Sequence, residues 1–522
     1  MEDGLYVMGI DAGTQGVRAA LFDLAGEVLS LASESYPTYY PQPGWAEQDI
    51  DEIWGATTKA ARRCLHQVSI RKEQVIGVCC DGTSSTVIPV TREGIPLRRA
   101  ILWMDGRAVE EAELINATRH PILNYVGGAT SVEWMVPKAL WLKRHEPRIY
   151  DAASLIVETT DWLIHKLTGR WTASICNATC KWNYARPAGG WDRSYFQQIG
   201  LACLLDKWPQ DVLFMSEPAG SLTSAAADAL GLQPGIIVAQ GGIDAHMGMI
   251  GLNAVVPGRM AVIMGTSVVH LVLSEYPSYD PGIWGPYPEA VLPGFWLLEG
   301  GQVSAGSLIK WYKDHLGAEV TAAAREKGLS PYQILDDRAA RIPPGAEGLI
   351  VLDHWQGNRT PLRDPLSRGA IVGLTLHHTP IHILRAIYEG ISFGTRHILE
   401  HFSRNGMRIT ELYACGGGSN SRLWLCILSS TCGVPIVLTH TAESVCLGGA
   451  ICAAVAAGRF RDIDEACAAM VRIKEVIEPD PSLTEAYDFY YDKYRRVYSG
   501  LKETLHELAA KTALEGGERK FS

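Results

Sequence analysis

Three short stretches of the chain carry residue types suited to holding phosphate. Asp11-Ala12-Gly13-Thr14-Gln15-Gly16 and Gly265-Thr266-Ser267 each pair glycine with threonine. Glycine lets the backbone come close to an anion, and threonine adds a hydroxyl and a backbone N–H. The run Gly416-Gly417-Gly418-Ser419-Asn420 precedes an apolar-periodic stretch from Ser421 to Cys432 and would open a helix there. A helix N-terminus with free N–H groups favours a nucleotide phosphate, although a glycine run equally suits a tight connection. Asp11 stands where a carboxylate can hold Mg²⁺ through water, and also where a turn asks for aspartate. Arg18, just past the first loop, can offer positive charge to a transferring group or pair with a nearby carboxylate. Asp244 lies in Gln240-Gly241-Gly242-Ile243-Asp244-Ala245-His246, directly after the apolar run 236–239. With an ordinary pKa of about 4 it is ionised at neutral pH and can accept a hydroxyl proton. Position alone favours a plainer role, the N-cap of a helix beginning at Ala245. His246 is read as a core or supporting residue.

These loops need rigid elements to carry them. Residues 5–10 and 17–23 read as strands flanking the first loop, and 260–264 and 268–273 as strands flanking the second. Two strand-loop-strand hairpins half a chain apart predict a duplicated nucleotide-binding fold, divided at a Val-Val-Pro-Gly turn into domains 1–253 and 254–522. A chain of 522 residues exceeds what one hydrophobic core serves, which also asks for two domains. The net charge of -10 argues against a nucleic-acid partner, whose footprint is basic. The start lacks the basic and apolar regions of a signal peptide, so a cytoplasmic protein is expected. The uncharged run 444–458 falls short of the roughly 20 residues that span a bilayer and reads as a buried helix. The twelve cysteines include vicinal Cys79-Cys80 and the Cys176/Cys180 pair, without the second close ligand pair that structural zinc needs, and read as small core hydrophobes. Tyr487, Tyr490, Tyr491, Tyr494 and Tyr498 recur at helical spacing and read as a packed helix face.

In this order the residues resemble the FGGY carbohydrate kinases, of the actin, hexokinase and Hsp70 superfold, and the resemblance runs nearly the whole chain. Its most specific part is Gly369, Ile371, Gly373-Leu374, a seven-residue gap, His382-Ile383 and Ala386-Ile387-Tyr388-Glu389. Asp11 to Thr14, Gly44-Trp45-Ala46-Glu47-Gln48, Leu102-Trp103-Met104-Asp105-Gly106-Arg107 and Gly242 to His246 resemble family landmarks in the family's sequence. The loop Asp81-Gly82-Thr83-Ser84-Ser85-Thr86 lacks the Arg-Glu pair of glycerol kinases and the Met-His pair of xylulose kinases. It looks more like ribulose kinases, as do Lys181 and Glu299 in their settings.

The resemblance implies an α/β, ribonuclease H-like duplicated fold whose two domains close over a central cleft. It implies an ATP-dependent transfer to a terminal hydroxyl of a ketopentose, ribulose first, with xylulose or a small polyol such as ribitol, erythritol or glycerol behind it. It turns Asp244 from a cap into the catalytic base. Gly13, Thr14, Gln15, Arg18, Gly265, Thr266, Gly417, Gly418 and Asn420 become the ATP-binding set, with Asp11 and Asp244 the residues for Mg²⁺. Thr83, Ser84, Lys181, Asp244 and Glu299 become the sugar-binding set. Trp103, Trp284 and Trp296 could stack on a sugar, buried aromatics being the commoner use, and Asp105 with Arg107 reads as a structural ion pair. The expected partners are the sugar and MgATP, with a homodimer as the expected assembly and neither nucleic acid nor membrane. A sugar-sensing nucleotide-binding protein of the same superfold is the rival without catalysis. A dehydrogenase reading is weaker still, because residues 11–16 are not GxGxxG and lead into a strand where a dinucleotide motif needs a helix.

Overall fold

The computed structural model describes residues 4–518, which form two compact units. The first comprises the chain up to Pro257 with Leu273–Leu298 and His440–Arg472, and the second comprises Gly258–Val272, Glu299–Thr439 and the chain from Ile473 on. No helix among the described residues is long and apolar enough to cross a membrane.

The first unit is built on β1 (Tyr6–Ala12), β2 (Gly16–Asp23), β3 (Val28–Ser35), β4 (Val75–Gly82), β5 (Pro218–Ser221) and β6 (Ile237–Ala239), in the order β5-β6-β4-β1-β2-β3. The central strands β1 and β4 are buried on both faces, and β1 alternates in what it meets. Met8, Ile10 and Ala12 point into a core shared with Ile53, Ala60 and Cys64 of the helix Ile50–His66. That helix starts where Asp49 accepts the N–H of Asp51. The odd-numbered face receives the helix Ser444–Ala456, which packs on β1, on β4 and on the helix Asp244–Gly251. The approach is possible only because the residues are small. A Cβ on Gly9 would stand 1.9 Å from the Cys446 carbonyl oxygen, and one on Gly448 2.0 Å from that of Met247. The run 444–458 is thus the buried helix the sequence predicts.

The second unit repeats the plan with β7 (Arg259–Met264), β8 (Val268–Ser274), β9 (Trp296–Gln302), β10 (Glu411–Cys415), β11 (Ile436–Thr439) and β12 (Ile473–Ile477), in the order β9-β8-β7-β10-β11-β12. In each sheet an antiparallel hairpin (β1 with β2, β7 with β8) continues through two parallel pairings (β1-β4-β6, β7-β10-β11) to an antiparallel edge. This is the duplication expected from the two hairpins. The helix Pro380–Arg404 packs on the helix Arg422–Cys432, and Tyr487, Tyr491 and Tyr494 of the helix Thr484–Glu518 are buried, as their spacing predicts.

Candidate active site

Register places the first group of functional residues. Asp11 is paired with Asp81 on parallel β4 and with Arg18 on antiparallel β2, which sets three charged residues in one row across the sheet. Ile243 bridges to Gly82, the last residue of β4, which brings Asp244 beside this row. Asp11 and Asp81 are 1% and 0% exposed, and among the described residues no group donates to Asp11 Oδ1 or to either oxygen of Asp81. Arg18 donates to Asp11 and, at 3.1 Å, to Glu443. Burial, then the negative charges of Asp11 and Asp244, hold Asp81 well above the usual carboxylate range. Burial and the neighbouring Asp11 push Asp244 up to about 6. Asp244 is the first residue of its helix; the cap position falls to Ile243, and Asp244 Oδ1 accepts the adjacent Ala245 N–H at 2.7 Å. His246 is buried with Nδ1 2.9 Å from Cys176 Sγ, consistent with a supporting role.

The first loop is held from three sides. Gly13 N–H donates to the Gly16 carbonyl at 3.1 Å, Tyr36 Oη donates to the Gly13 carbonyl, and Tyr36 N–H reaches Gln15 O. Gln48 Nε2 donates to the Thr14 carbonyl at 2.7 Å and the Trp103 indole to Thr14 Oγ1 at 3.0 Å. Behind them Arg107 binds Asp105 through two nitrogens at 2.8 Å and Glu47 at 2.8 Å, the structural ion pair expected. Trp103 is therefore a support of the loop.

The loop after β4 is equally fixed. Thr83 and Thr86 share a hydroxyl hydrogen bond of 2.9 Å, and Asn177 donates to Ser84 Oγ at 3.3 Å. Buried Glu158 accepts from Trp182 at 2.6 Å and from Asn177 at 2.9 Å. Lys138, wholly buried and pushed down to about 7 by that burial, donates to the carbonyls of Ser85, Leu102 and Trp103 at 2.7–3.1 Å. Lys181 ends the helix Ile175–Lys181 with its ammonium 5.0 Å from the centre of the Trp134 ring, whose other neighbour is Trp284, edge-on at 5.4 Å. Trp296 stacks on Tyr125 at 6.2 Å.

The second unit gathers the remaining predicted residues. Ile263 is paired with Cys415 on parallel β7 and β10, so the loops at Gly265 and Gly416 leave the sheet at one end. Gly265-Thr266 is tied to the helix Gly306–Leu316 by N–H bonds from Ala305 and Ser307 to the Thr266 carbonyl, both 3.1 Å. Gly417–Asn420 forms a single tight turn, and Ser421 then caps the helix Arg422–Cys432 by accepting the Trp424 N–H. Gly265, Thr266, Gly417 and Asn420 are exposed. A Cβ on Gly417 would meet nothing within 4 Å, so that glycine leaves open space for a ligand. Glu299 lies on β9, partly accessible. Asp11, Gly13, Thr14, Gln15, Arg18, Thr83, Ser84, Lys181 and Asp244 thus belong to the first unit, and Gly265, Thr266, Gly417, Gly418, Asn420 and Glu299 to the second.

Residues 6–251 match the model of the N-terminal domain of the FGGY family of carbohydrate kinases, and residues 260–457 that of its C-terminal domain. The chain belongs to the FGGY carbohydrate kinases. This kinase is 36% identical to an FGGY carbohydrate kinase domain-containing protein of Xenopus laevis, over 96% of this chain and 97% of the other. It is 33% identical to a ribulokinase of Geobacillus thermodenitrificans, over 94% of each. Its fold matches the xylulose kinase of Rhodospirillum rubrum with a TM-score of 0.85 at 26% identity, covering 96% of this chain and 100% of that one. It is therefore a phosphotransferase with an alcohol group as acceptor, of the two-domain actin- and hexokinase-like fold.

In this kinase the donor set fits a hard divalent cation. Among the described residues three buried carboxylate oxygens on Asp11 and Asp81 have no donor, and Mg²⁺ takes oxygen ligands and keeps several waters. Asp81 and Glu443 escape the sequence reading. In sequence Asp81 merely opens the loop 81–86, and its pairing with Asp11 is a property of two strands 70 residues apart.

Proposed function

We propose that the kinase transfers the γ-phosphate of MgATP to a terminal hydroxyl of a ketopentose, ribulose first. The observation that carries this reading is the loop Thr83-Ser84-Ser85-Thr86. Its side chains are small and hydroxylated, and it is fixed from behind by Asn177, itself bonded to Glu158, and by Lys138. The extended likeness to proteins named ribulokinase supports it. Lys181 and Glu299 serve as donor and acceptor for the sugar, and Gly265, Thr266, Gly417, Gly418 and Asn420 hold the nucleotide.

Phosphoryl transfer asks a protein chiefly for positioning and for neutralisation of spread negative charge. Mg²⁺, when bound by Asp11, Asp81 and Asp244, neutralises charge on the phosphate oxygens. Gly13, Thr14 and Gln15 present N–H and hydroxyl groups to the transferring group, on a loop that Gln48, Trp103 and Tyr36 keep rigid. Arg18, 45% exposed at its side chain, orients Asp11. Asp244, carboxylate above about pH 6, takes the proton from the attacking hydroxyl. Coupled measurement of ADP release over D- and L-ribulose, D- and L-xylulose, ribitol, erythritol and glycerol tests the assignment. Ribulose is expected to give the highest kcat/KM; a polyol or xylulose in that place overturns the substrate, and no acceleration by any of them overturns the pentulose reading.

A further inference from the structure

Leu376-His377-His378-Thr379-Pro380-Ile381-His382 sets three histidines within six residues of the second unit, far from any cysteine pair. In the fold two of them, His377 and His382, converge on one carboxylate. His377 Nε2 is 2.7 Å and His382 Nε2 3.2 Å from Glu347 Oε2, and one ligand atom from each of the three residues lies within 4.8 Å of the others. Ligand atoms around a tetrahedral zinc stand ~3.3 Å apart, given metal-ligand distances of ~2.0–2.1 Å. The cluster therefore needs only small side-chain rotations to surround an ion. We propose that Glu347, His377 and His382 form a binding site for a borderline transition-metal cation of the Zn²⁺ class, with a coordination position left to water.

The backbone delivers Glu347 in an uncommon way. Gly345, Ala346, Glu347 and Gly348 have φ of 82, 45, 56 and 97°, and two of the four are not glycine. Left-handed backbone costs a side-chain-bearing residue roughly 1–2 kcal/mol, and it persists where the surroundings over-determine it. Here they do. Gly345 N–H donates to both oxygens of buried Glu389 at 3.0 and 3.1 Å. His378 accepts the Thr375 N–H at Nδ1, which puts its proton on Nε2, and donates it to the Glu347 carbonyl at 3.3 Å. His378 thus fixes the turn that aims Glu347, a neighbour's role rather than a ligand's.

The two ligating histidines differ usefully. His382 has a side chain only 8% exposed, with Nδ1 2.9 Å from Thr379 Oγ1. In this fold Nδ1 accepts the Thr379 N–H at 3.1 Å, which puts the ring proton on Nε2, toward Glu347. Metal binding takes Nε2 and moves the proton to Nδ1, which then donates to the Thr379 hydroxyl in place of the N–H contact, the arrangement by which ligating imidazoles are oriented. His377, 73% exposed, gives the ion a way in from solvent. Two imidazoles and one carboxylate suit Zn²⁺, Co²⁺ or Ni²⁺ better than Mg²⁺, which keeps this site chemically separate from the all-oxygen set at Asp11 and Asp81. An ion here ties the turn Gly345–Gly348 to the first turn of the helix Pro380–Arg404.

The test is equilibrium dialysis of the full chain against Zn²⁺ with excess Mg²⁺, together with Co²⁺ absorption spectra and thermal melts. The variants are His377→Gln, whose site is largely exposed and so disturbs folding little, and Glu347→Gln. The unmodified chain is expected to bind one more equivalent of Zn²⁺ than either variant. It is also expected to show a Zn²⁺-dependent rise in Tm of a few degrees that both variants lose. Equal binding by His377→Gln, or a Co²⁺ spectrum dominated by thiolate charge transfer that the variants leave unchanged, overturns the proposal.

Discussion

Asp244→Asn separates the catalytic from the structural consequences of the carboxylate row. Asp244 stands among Asp11, Asp81, Arg18, Tyr36 and His246, and the balance of burial and charge lifts it from an ordinary 3.8 to about 6. The sign follows from proton counting. Between those two values the folded chain binds more protons at this residue than the unfolded chain, so stability falls as pH rises from about 4 to about 6 and stays lower above. The difference is worth roughly 3 kcal/mol at most, at 1.36 kcal/mol for each tenfold change. A first unit of roughly 300 residues has an unfolding entropy of ~0.6 kcal/mol per kelvin, so the upper bound corresponds to a Tm change of about 5 °C. Asparagine removes the charge while keeping the shape. In EDTA at pH 8 the variant is expected to melt a few degrees above the unmodified protein, and at pH 4 that advantage should vanish. Its kcat should fall by a factor on the order of 10² to 10⁴, the usual contribution of a positioned base, while nucleotide still binds. Differential scanning calorimetry at the two pH values, with a coupled ADP assay, reads both effects. A variant with near-normal kcat removes Asp244 as the base. A Tm difference that does not change with pH refutes the claim that folding holds this carboxyl against charge repulsion.

Three further outcomes follow from the same geometry. Asp81→Asn should raise the Mg²⁺ concentration for half-maximal rate by roughly 10-fold or more, since it removes a buried oxygen that no protein group satisfies; an unchanged Mg²⁺ titration takes Asp81 out of the cation site. Trp103→Phe deletes one hydrogen bond to Thr14 Oγ1, worth about 1 kcal/mol, so kcat/KM for ATP should drop about 5-fold, and once Thr14→Val has removed the accepting oxygen a further Trp103→Phe should cost little. Gly9→Ala places a Cβ 1.9 Å from the Cys446 carbonyl oxygen and should lower stability by ~1–3 kcal/mol or more, read as a lower denaturation midpoint; a neutral result means the helix Ser444–Ala456 can move away from β1.

Where a residue's partners are close in sequence, its place was legible. The hairpins around Gly13 and Gly265, the helix after Asn420 and the tyrosine face of the last helix all follow from alternation or from a 3.6-residue period, which short windows reveal. Asp244 shows the limit of local reading. Its position suggested a cap, yet the cap falls one residue earlier because the bridge from Ile243 to Gly82 keeps the backbone extended up to that residue. Gln48 and Trp103 sit in landmarks whose purpose, support of Thr14, depends on contacts 34 and 89 residues away. The strand Tyr6–Ala12 carries the point furthest. Its even-numbered residues Met8, Ile10 and Ala12 enter the core, and its odd-numbered Gly9 and Asp11 face the helix Ser444–Ala456 and the carboxylate row. A slip of one residue would send Asp11 into the hydrocarbon core and Ile10 toward the cation site, since side chains alternate with a period of two. The burial of Met8 and Ile10 therefore fixes the register, and the register, more than the glycine loop beyond it, fixes where Asp11 meets Asp81 and Arg18.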